Sequence, residues 1–191
     1  MPTLRPLALA VALGIVTLAP NANAQSRQPW SLQGSVLYTA QDLGGSAGTI
    51  GGVGVEAQLR RTLSGWSLGG GVQYSTHSSG PDDLSLTGLF VEPRFIIPVA
   101  AGSFAPYLAG RLAFLHGSLD AGAVGRSGSS NGLAFGAGAG LLYRLTERVN
   151  VDVGGAVLRQ SLSNIKLDGV GEVEFPSFLG YVLKAGLSLG F

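Results

Sequence analysis

The stretch that decides the fold is Tyr181–Phe191, which reads YVLKAGLSLGF. Apolar residues occupy every second position and end on Phe191, while Lys184, Ser188 and two glycines lie between them. This period of two indicates a β-strand, because successive side chains of a strand point to opposite faces. About eleven residues are what a tilted strand needs to cross a bilayer. The sequence therefore predicts a strand with one apolar face, long enough to span a membrane.

The N-terminus has the features of a secretory signal peptide. Arg5 precedes an apolar run, Leu7–Leu18, and Ala22-Asn23-Ala24 fits the small-x-small cleavage pattern. We expect cleavage before Gln25, so that residues 1–24 are the signal peptide and residues 25–191 form one domain. A membrane anchor helix is the alternative interpretation, but this run is short for a hydrocarbon span.

The composition is unusual for a soluble domain. The chain is 46% hydrophobic and only 12% charged, whereas soluble domains are roughly 25% charged. No window after the signal peptide has about eighteen unbroken apolar residues, so we expect no helical span. Hydrophobic composition without a hydrophobic run is typical of strands with one lipid-facing side. With Arg5 removed, the charges balance at eleven basic and eleven acidic residues, which gives no basic footprint for nucleic acid.

Eight alternating segments follow the signal peptide, and we expect each to be a strand. They are Trp30–Ala40, Thr49–Arg60, Gly65–Thr76, Leu84–Ile97, Phe104–His116, Asn131–Leu145, Arg148–Gln160 and Phe178–Phe191.

Long and short connections alternate between these segments. The long ones are rich in Gly, Ser and Asp, as loops are; they are Gln41–Gly48, His77–Asp83, Gly117–Ser130 and Ser161–Ser177. Outer-membrane barrels have short periplasmic turns and longer outer loops. The pattern predicts an all-β, eight-stranded antiparallel transmembrane up-and-down β-barrel. Soluble sandwiches and lipocalin-like barrels have a similar layout, with the apolar face inward.

The aromatic residues favour the membrane alternative, because they fall near the strand ends. Amphipathic rings prefer the headgroup region, where they form two girdles. The expected periplasmic group is Trp30, Trp66, Phe104, Tyr107, Tyr143 and Phe191, and the expected outer group is Tyr38, Tyr74, Phe114, Phe135 and Tyr181.

Charged residues within the strands also favour it. A charge facing lipid at the midplane costs roughly 2–4 kcal/mol, so these side chains should point into the lumen. They are Glu56, Arg60, Glu92, Arg94, Arg111, Arg144, Asp152 and Lys184. We expect the carboxylates to pair with the cations, with Arg144 and Asp152 as diagonal neighbours across a short turn; for residues near the periplasmic mouth, solvation at the rim is the alternative.

Three glycines, Gly136, Gly138 and Gly140, share the inward face of the sixth segment. A nucleotide-binding loop would need a G-x-G-x-x-G spacing between a strand and a helix, which this stretch lacks. We expect the glycines to make room for bulky lumen side chains.

With eight strands, short turns, a charged lumen and a terminal Phe191, the chain resembles the OmpA/OmpX-type outer-membrane β-barrels. The stretches LFVEPRFIIP (Leu89–Pro98) and APYLAGRLAFL (Ala105–Leu115) are similar to the fourth and fifth strands of that family. The resemblance implies a monomer that lies in the bacterial outer membrane and is surrounded by outer-membrane lipid. It also implies that the barrel-assembly machinery of the bacterium recognises the C-terminal strand, which ends at Phe191. It also implies a plugged lumen, no cofactor and loops that serve adhesion or surface protection.

Three functional alternatives follow. The first is a non-catalytic structural or surface-interaction protein, whose third and fourth loops contact an extracellular ligand; the fourth includes Lys166, Asp168, Glu172 and Glu174. The second is a narrow or lateral-opening channel for small or hydrophobic solutes. The third is a hydrolase similar to the lipid A deacylases, which carry a His-x-Ser pair.

His116 and Ser118 repeat the spacing of that pair, on a face that we expect to meet lipid. A nucleophilic serine needs a base and an acid that orients the base. Leu119 replaces the family's Asn, and no Glu lies between Ser118 and Glu147. His77 is a weaker candidate, in the second expected loop. We therefore predict no enzyme activity and no metal site.

Overall fold

A computed structural model describes residues 28–42, 48–79, 82–99, 103–121, 126–163, 165–167, 171–173 and 177–191. The expected signal peptide and its cleavage site lie outside the described residues, as do Asp168 and Glu174 of the fourth expected loop. The strands are β1 (Trp30–Asp42), β2 (Thr49–Leu63), β3 (Trp66–Ser79), β4 (Asp82–Ile96), β5 (Phe104–Ala121), β6 (Arg126–Arg144), β7 (Val149–Leu162), β8 (Ile165–Leu167), β9 (Gly171–Val173) and β10 (Phe178–Gly190).

Eight long strands close into one antiparallel barrel. Each pairs with the long strand before it and the long strand after it in the sequence, and β10 closes the barrel on β1, from Ser31↔Gly190 to Asp42↔Leu179. The backbone N–H of Phe191 continues this ladder by donating to the carbonyl of Trp30 at 2.9 Å. In the described barrel, the closed ladder of the eight long strands leaves no free edge facing lipid, as a spanning sheet requires. The predicted up-and-down barrel is confirmed.

Strands β5 and β6 are longer than predicted. Their pairing continues without a break from Phe104↔Tyr143 to Ala121↔Arg126, so the prediction of a loop over Gly117–Ser130 is wrong for residues 117–121 and 126–130, and residues 122–125 lie outside the described chain. Ladder hydrogen bonds do not depend on apolar side chains, so a Ser- and Gly-rich segment can continue a strand once its partner is in register. The short hairpin of β8 and β9 extends this sheet further, through the pair Ser129↔Lys166.

The two faces of the barrel differ in chemistry. The outward face is mainly apolar over the middle of the barrel, as in β10, where exposed Tyr181, Leu183 and Leu187 alternate with buried Lys184 and Ser188. Along β5 the outward apolar face runs from Phe104 to Phe114. About ten residues at roughly 3.3 Å each, tilted by about 40°, give a band about 25 Å tall, which matches the hydrocarbon region that such barrels cover. Among the described residues, no helix is long and apolar enough to cross a membrane.

Candidate functional site: the charged lumen

Glu92 on β4 is the centre of an ion-pair network inside the barrel. Its carboxylate lies 3.0 Å from Nη2 of Arg60 and 2.8 Å from Nε of Arg94. On the other side, it lies 3.2 Å from Nη1 of Arg111 and 3.0 Å from Nζ of Lys184. The four cations come from β2, β4, β5 and β10, so one carboxylate joins strands from opposite walls.

Asp152 on β7 forms a second centre on the periplasmic side of Glu92. Its side chain is fully buried and accepts hydrogen bonds from Arg94, Tyr107 and Gln33, each at 2.7 Å. Arg94 joins the two centres, because it contacts both carboxylates. One charged donor, Arg94, and two neutral donors, Tyr107 and Gln33, surround this carboxylate, and their hydrogen bonds offset the free-energy cost of burying its charge.

Glu56 on β2 completes the network on the outer side. Its carboxylate lies 2.7 Å from Nη2 of Arg111 and 3.5 Å from Nζ of Lys184. Arg111 also donates to Gln73 at 2.8 Å, and its guanidinium lies over the ring of Phe90, 3.7 Å from the centroid. The network therefore joins residues of β1, β2, β3, β4, β5, β7 and β10 across the lumen.

Arg144 is not part of this cluster. It lies half-buried at the periplasmic end of β6, and its Nε and Nη2 have no hydrogen-bond partner among the described residues. The expected diagonal contact with Asp152 does not form, because Asp152 faces Arg94 across the lumen and pairs in register with Leu142. Among the residues that the structure describes, seven charged side chains are buried, four cations and three carboxylates: Arg60, Arg94, Arg111, Lys184, Glu56, Glu92 and Asp152.

Tyr107 belongs to the lumen, so its prediction as a girdle residue is wrong. Its side chain is only 2% exposed; the hydroxyl donates to Asp152, and the ring lies beneath the Arg94 guanidinium at 4.2 Å. The sequence already contained the evidence for this position. Tyr107 is four positions from Arg111 in β5, and residues an even number of positions apart in a strand share a face, so Tyr107 must point into the lumen with Arg111.

The inward glycines make room for this ring. Gly140 and Gly154 pair across β6 and β7, and a Cβ on either would clash with the Tyr107 hydroxyl. Gly136 and Gly138 also face the lumen, where an added Cβ would clash with the neighbouring β7 backbone. These residues occupy positions where even Ala does not fit without rearrangement.

Apolar layers, which the sequence pattern did not predict, lie on both sides of the ion pairs. Along β4 the inward positions run from Phe90 through Glu92 and Arg94 to Ile96. The outer apolar layer is Phe90, Ala113, Leu115, Ala134, Leu162 and Phe178. The periplasmic layer is Ile96, Ala105, Tyr107 and Leu142.

Two small cavities lie beside the ion-pair network in the lumen. The cavity beside Glu92 and Tyr107 measures about 10 Å³, and the cavity beside Arg60 and Gln33 measures about 20 Å³. Each has room for about one water molecule. Neither cavity has room for a solute larger than water.

The other aromatic residues predicted for the girdles point outward. Exposed rings at the periplasmic end belong to Trp30, Trp66, Phe104, Tyr143 and Phe191, and those at the outer end belong to Tyr38, Tyr74, Phe114, Phe135 and Tyr181. Phe95 adds to the periplasmic group, with its ring centroid 4.9 Å from that of Trp66.

His116 and Ser118 lie on the outward face of β5, as expected from their spacing. Nδ1 of His116 is 2.8 Å from Oδ1 of Asn131, so an amide occupies the place where a catalytic histidine needs a carboxylate. His77 lies in β3, and its prediction as a loop residue is wrong. Its ring is buried at the outer mouth of the lumen, with Nε2 2.8 Å from the Thr39 hydroxyl. In the described part of the chain, no group of three or more His, Cys, Asp or Glu residues could hold a metal ion.

The fold defines the class of protein: a transmembrane β-barrel with an apolar outer wall and a charged interior. No protein-family model and no curated protein matches the chain. Among solved structures, it is similar to Neisserial surface protein A, with a TM-score of 0.66 and 18% identity over 85% of this chain and 97% of that one.

The chain is also similar to Ail, the attachment invasion locus protein of Yersinia pestis, with a TM-score of 0.58 and 13% identity over 85% of this chain and 97% of Ail. A structure of Ail with the heparin analogue sucrose octasulfate gives a TM-score of 0.55 and 16% identity over the same shares. At these identities the likeness concerns the fold. The fold is that of the small eight-stranded barrels of the bacterial outer membrane, and the predicted OmpA/OmpX-type architecture is confirmed.

Proposed function

We propose that this protein is a monomeric, non-catalytic outer-membrane barrel that does not conduct solutes and acts through its outer end in adhesion or surface protection. The observation that carries the proposal is the filled lumen, in which the Glu92 network lies between two apolar layers. Eight strands enclose an interior that side chains can fill, whereas diffusion pores need sixteen or more.

The outer end of the barrel supports the surface role. Rows of paired residues across β4, β5 and β6 change from apolar to polar at one level. Going outward, the rows are Leu89, Phe114 and Leu133; Thr87, His116 and Asn131; Ser85, Ser118 and Ser129; and Asp83, Asp120 and Ser127. The last two rows therefore stand above the hydrocarbon band, on a sheet that projects from the membrane.

This projecting sheet has an open polar groove on its outward face. The groove measures about 580 Å³ and includes Asp83, Ser85, Ser118 and Asp120 in its lining. Ail is a protein of attachment that binds a sulfated heparin analogue. Here the two carboxylates would repel a sulfated glycan, so the charge of this groove favours a neutral or basic partner.

Conductance in planar bilayers tests the closed lumen. The folded protein should give no steady open-pore current. A variant with Phe90→Ala and Glu92→Ala removes the centre of the outer apolar layer and the hub of the ion pairs, and should admit ions. Steady currents from the unaltered protein would favour the narrow-channel alternative.

Adherence of intact bacteria tests the surface role. Cells that produce the protein are compared with cells that produce the Asp83→Asn, Asp120→Asn variant or the Glu147→Gln control, which changes the periplasmic turn. The first variant should lose adherence to an epithelial monolayer at equal surface amounts. Equal adherence by all three would contradict a role for this groove.

A further inference from the structure

A second groove lies on the lipid-facing wall of the barrel, near the periplasmic end. It crosses β2, β3 and β4 and measures about 490 Å³. Its lining includes the exposed side chains of Trp30, Leu59, Arg61, Leu63, Leu68 and Val91. The groove exists because Gly70 occupies the outward position between Leu59 and Val91, where the neighbouring strands carry branched side chains.

Packing within the protein does not require glycine at position 70. A Cβ there would meet only the carbonyl oxygen of Phe90, at 3.8 Å, an ordinary contact distance. By contrast, a Cβ on the inward-facing Gly71 would clash with the Ala57 carbonyl. Gly70 thus leaves a depression on the lipid-facing wall that the barrel could fill with a larger residue.

Arg61 places a positive charge at one end of this depression. It is outward and exposed, it pairs in register with Trp30, and its Cζ lies 5.5 Å from the Trp30 ring centroid. Arginine on the lipid face costs roughly 2–4 kcal/mol at the midplane and about 0–1 near the interface. Tryptophan belongs to the interface, so Arg61 lies at headgroup depth, where its planar guanidinium can bind a phosphate through two hydrogen bonds.

We propose that Arg61 and the groove over Gly70 bind one anionic glycerophospholipid of the periplasmic leaflet. The phosphate contacts Arg61 beside Trp30, and one acyl chain lies in the groove along Leu59 and Val91. The charge of Arg61 selects the anionic headgroup, and the apolar walls accept the chain. The periplasmic source follows from the orientation proposed above, because this end carries the short turn between β2 and β3.

Quenching of tryptophan fluorescence by brominated lipid tests this site. The chain has two tryptophans, so Trp66→Phe leaves Trp30 as the reporter and keeps a ring beside Phe95. The variant is refolded into phosphatidylcholine vesicles that contain increasing fractions of brominated phosphatidylglycerol or, in parallel, brominated phosphatidylcholine. Anionic lipid should be enriched beside Trp30 about fivefold over its bulk fraction, the preference expected for one basic residue at an anionic lipid surface.

Two variants in the same background separate the headgroup and chain contacts. Arg61→Gln should reduce the enrichment to about one, while Gly70→Leu should lower quenching by both lipids. The matched control is Gly34→Leu, since a Cβ on the outward Gly34 meets nothing within 4 Å and Gly34 does not line the groove. Equal quenching by the two lipids in the Trp66→Phe protein would overturn the proposal, and so would enrichment that survives Arg61→Gln. Neither result would affect the closed lumen or adherence, which do not use Arg61.

Discussion

The Glu92→Gln variant tests the contribution of the ion-pair network to stability. The substitution keeps the size of the side chain and removes its charge. Four cations lie at 2.8–3.2 Å from this carboxylate in the native barrel. After the change, the same four buried cations share only Glu56 and Asp152, and the new amide N–H₂ adds a donor among groups that are all donors.

The expected loss is several kcal/mol of unfolding free energy. One ion pair at about 3 Å gains about 5 kcal/mol in a medium of effective dielectric constant near 20, before desolvation is subtracted. Breaking a buried pair by removing one partner costs about 3–5 kcal/mol, because the remaining charge stays buried. We expect a loss in this range for Glu92→Gln. Glu56→Gln should cost less, since Glu56 contacts two cations, one of them at 3.5 Å.

Reversible urea unfolding in lipid vesicles, followed by tryptophan fluorescence, measures this loss. Glu147→Gln is the matched control, because Glu147 lies exposed in the turn between β6 and β7 and should leave the unfolding free energy unchanged. A loss below about 1 kcal/mol for Glu92→Gln would refute the reasoning, since it would mean that lumen water replaces the carboxylate without cost.

Two further variants test the packing around Tyr107 and the role of the C-terminal residue in assembly. Gly140→Val should destabilise the barrel by about 2–4 kcal/mol, because the new side chain displaces the Tyr107 ring. The control Gly34→Val should fold normally. Equal unfolding midpoints for the two variants would contradict the close contact between Gly140 and Tyr107. Deletion of Phe191 removes an exposed ring and the hydrogen bond to Trp30, and should reduce the amount of barrel in the membrane while export continues, as measured by immunoblotting of fractionated cells. Normal membrane yield of that truncation would show that assembly does not read this residue.

The alternation of side chains predicted the strands, and the positions of the aromatic and charged residues distinguished a membrane barrel from a soluble one. A spanning strand must present apolar groups to lipid on one side only, so the period of two is strong in segments such as Tyr181–Phe191. Above the hydrocarbon band this constraint ends. For that reason the sequence predicted loops at the Ser- and Gly-rich outer ends of β5 and β6, although the backbones of these segments continue to pair as far as Ala121↔Arg126.

The partners within the lumen could not be predicted from sequence spacing. Contacts across the interior join residues far apart in the chain, such as Arg94 with Asp152 and Lys184 with Glu92. Local pairing instead predicted Arg144 as the partner of Asp152, which is wrong because the lumen lets Arg94 reach across. The position of Tyr107 could have been predicted, since its parity with Arg111 was available in the sequence.

Site-directed spin labelling of β10 tests most directly whether the apolar face meets lipid and the ionic face is enclosed. The chain contains no cysteine, so single cysteines from Tyr181 to Leu189 can each carry a nitroxide in vesicles. Collisions with membrane-dissolved oxygen should be frequent at Tyr181, Leu183 and Leu187 and rare at Lys184 and Ser188. Oxygen collisions in the opposite phase, or no alternation along the strand, would contradict the account.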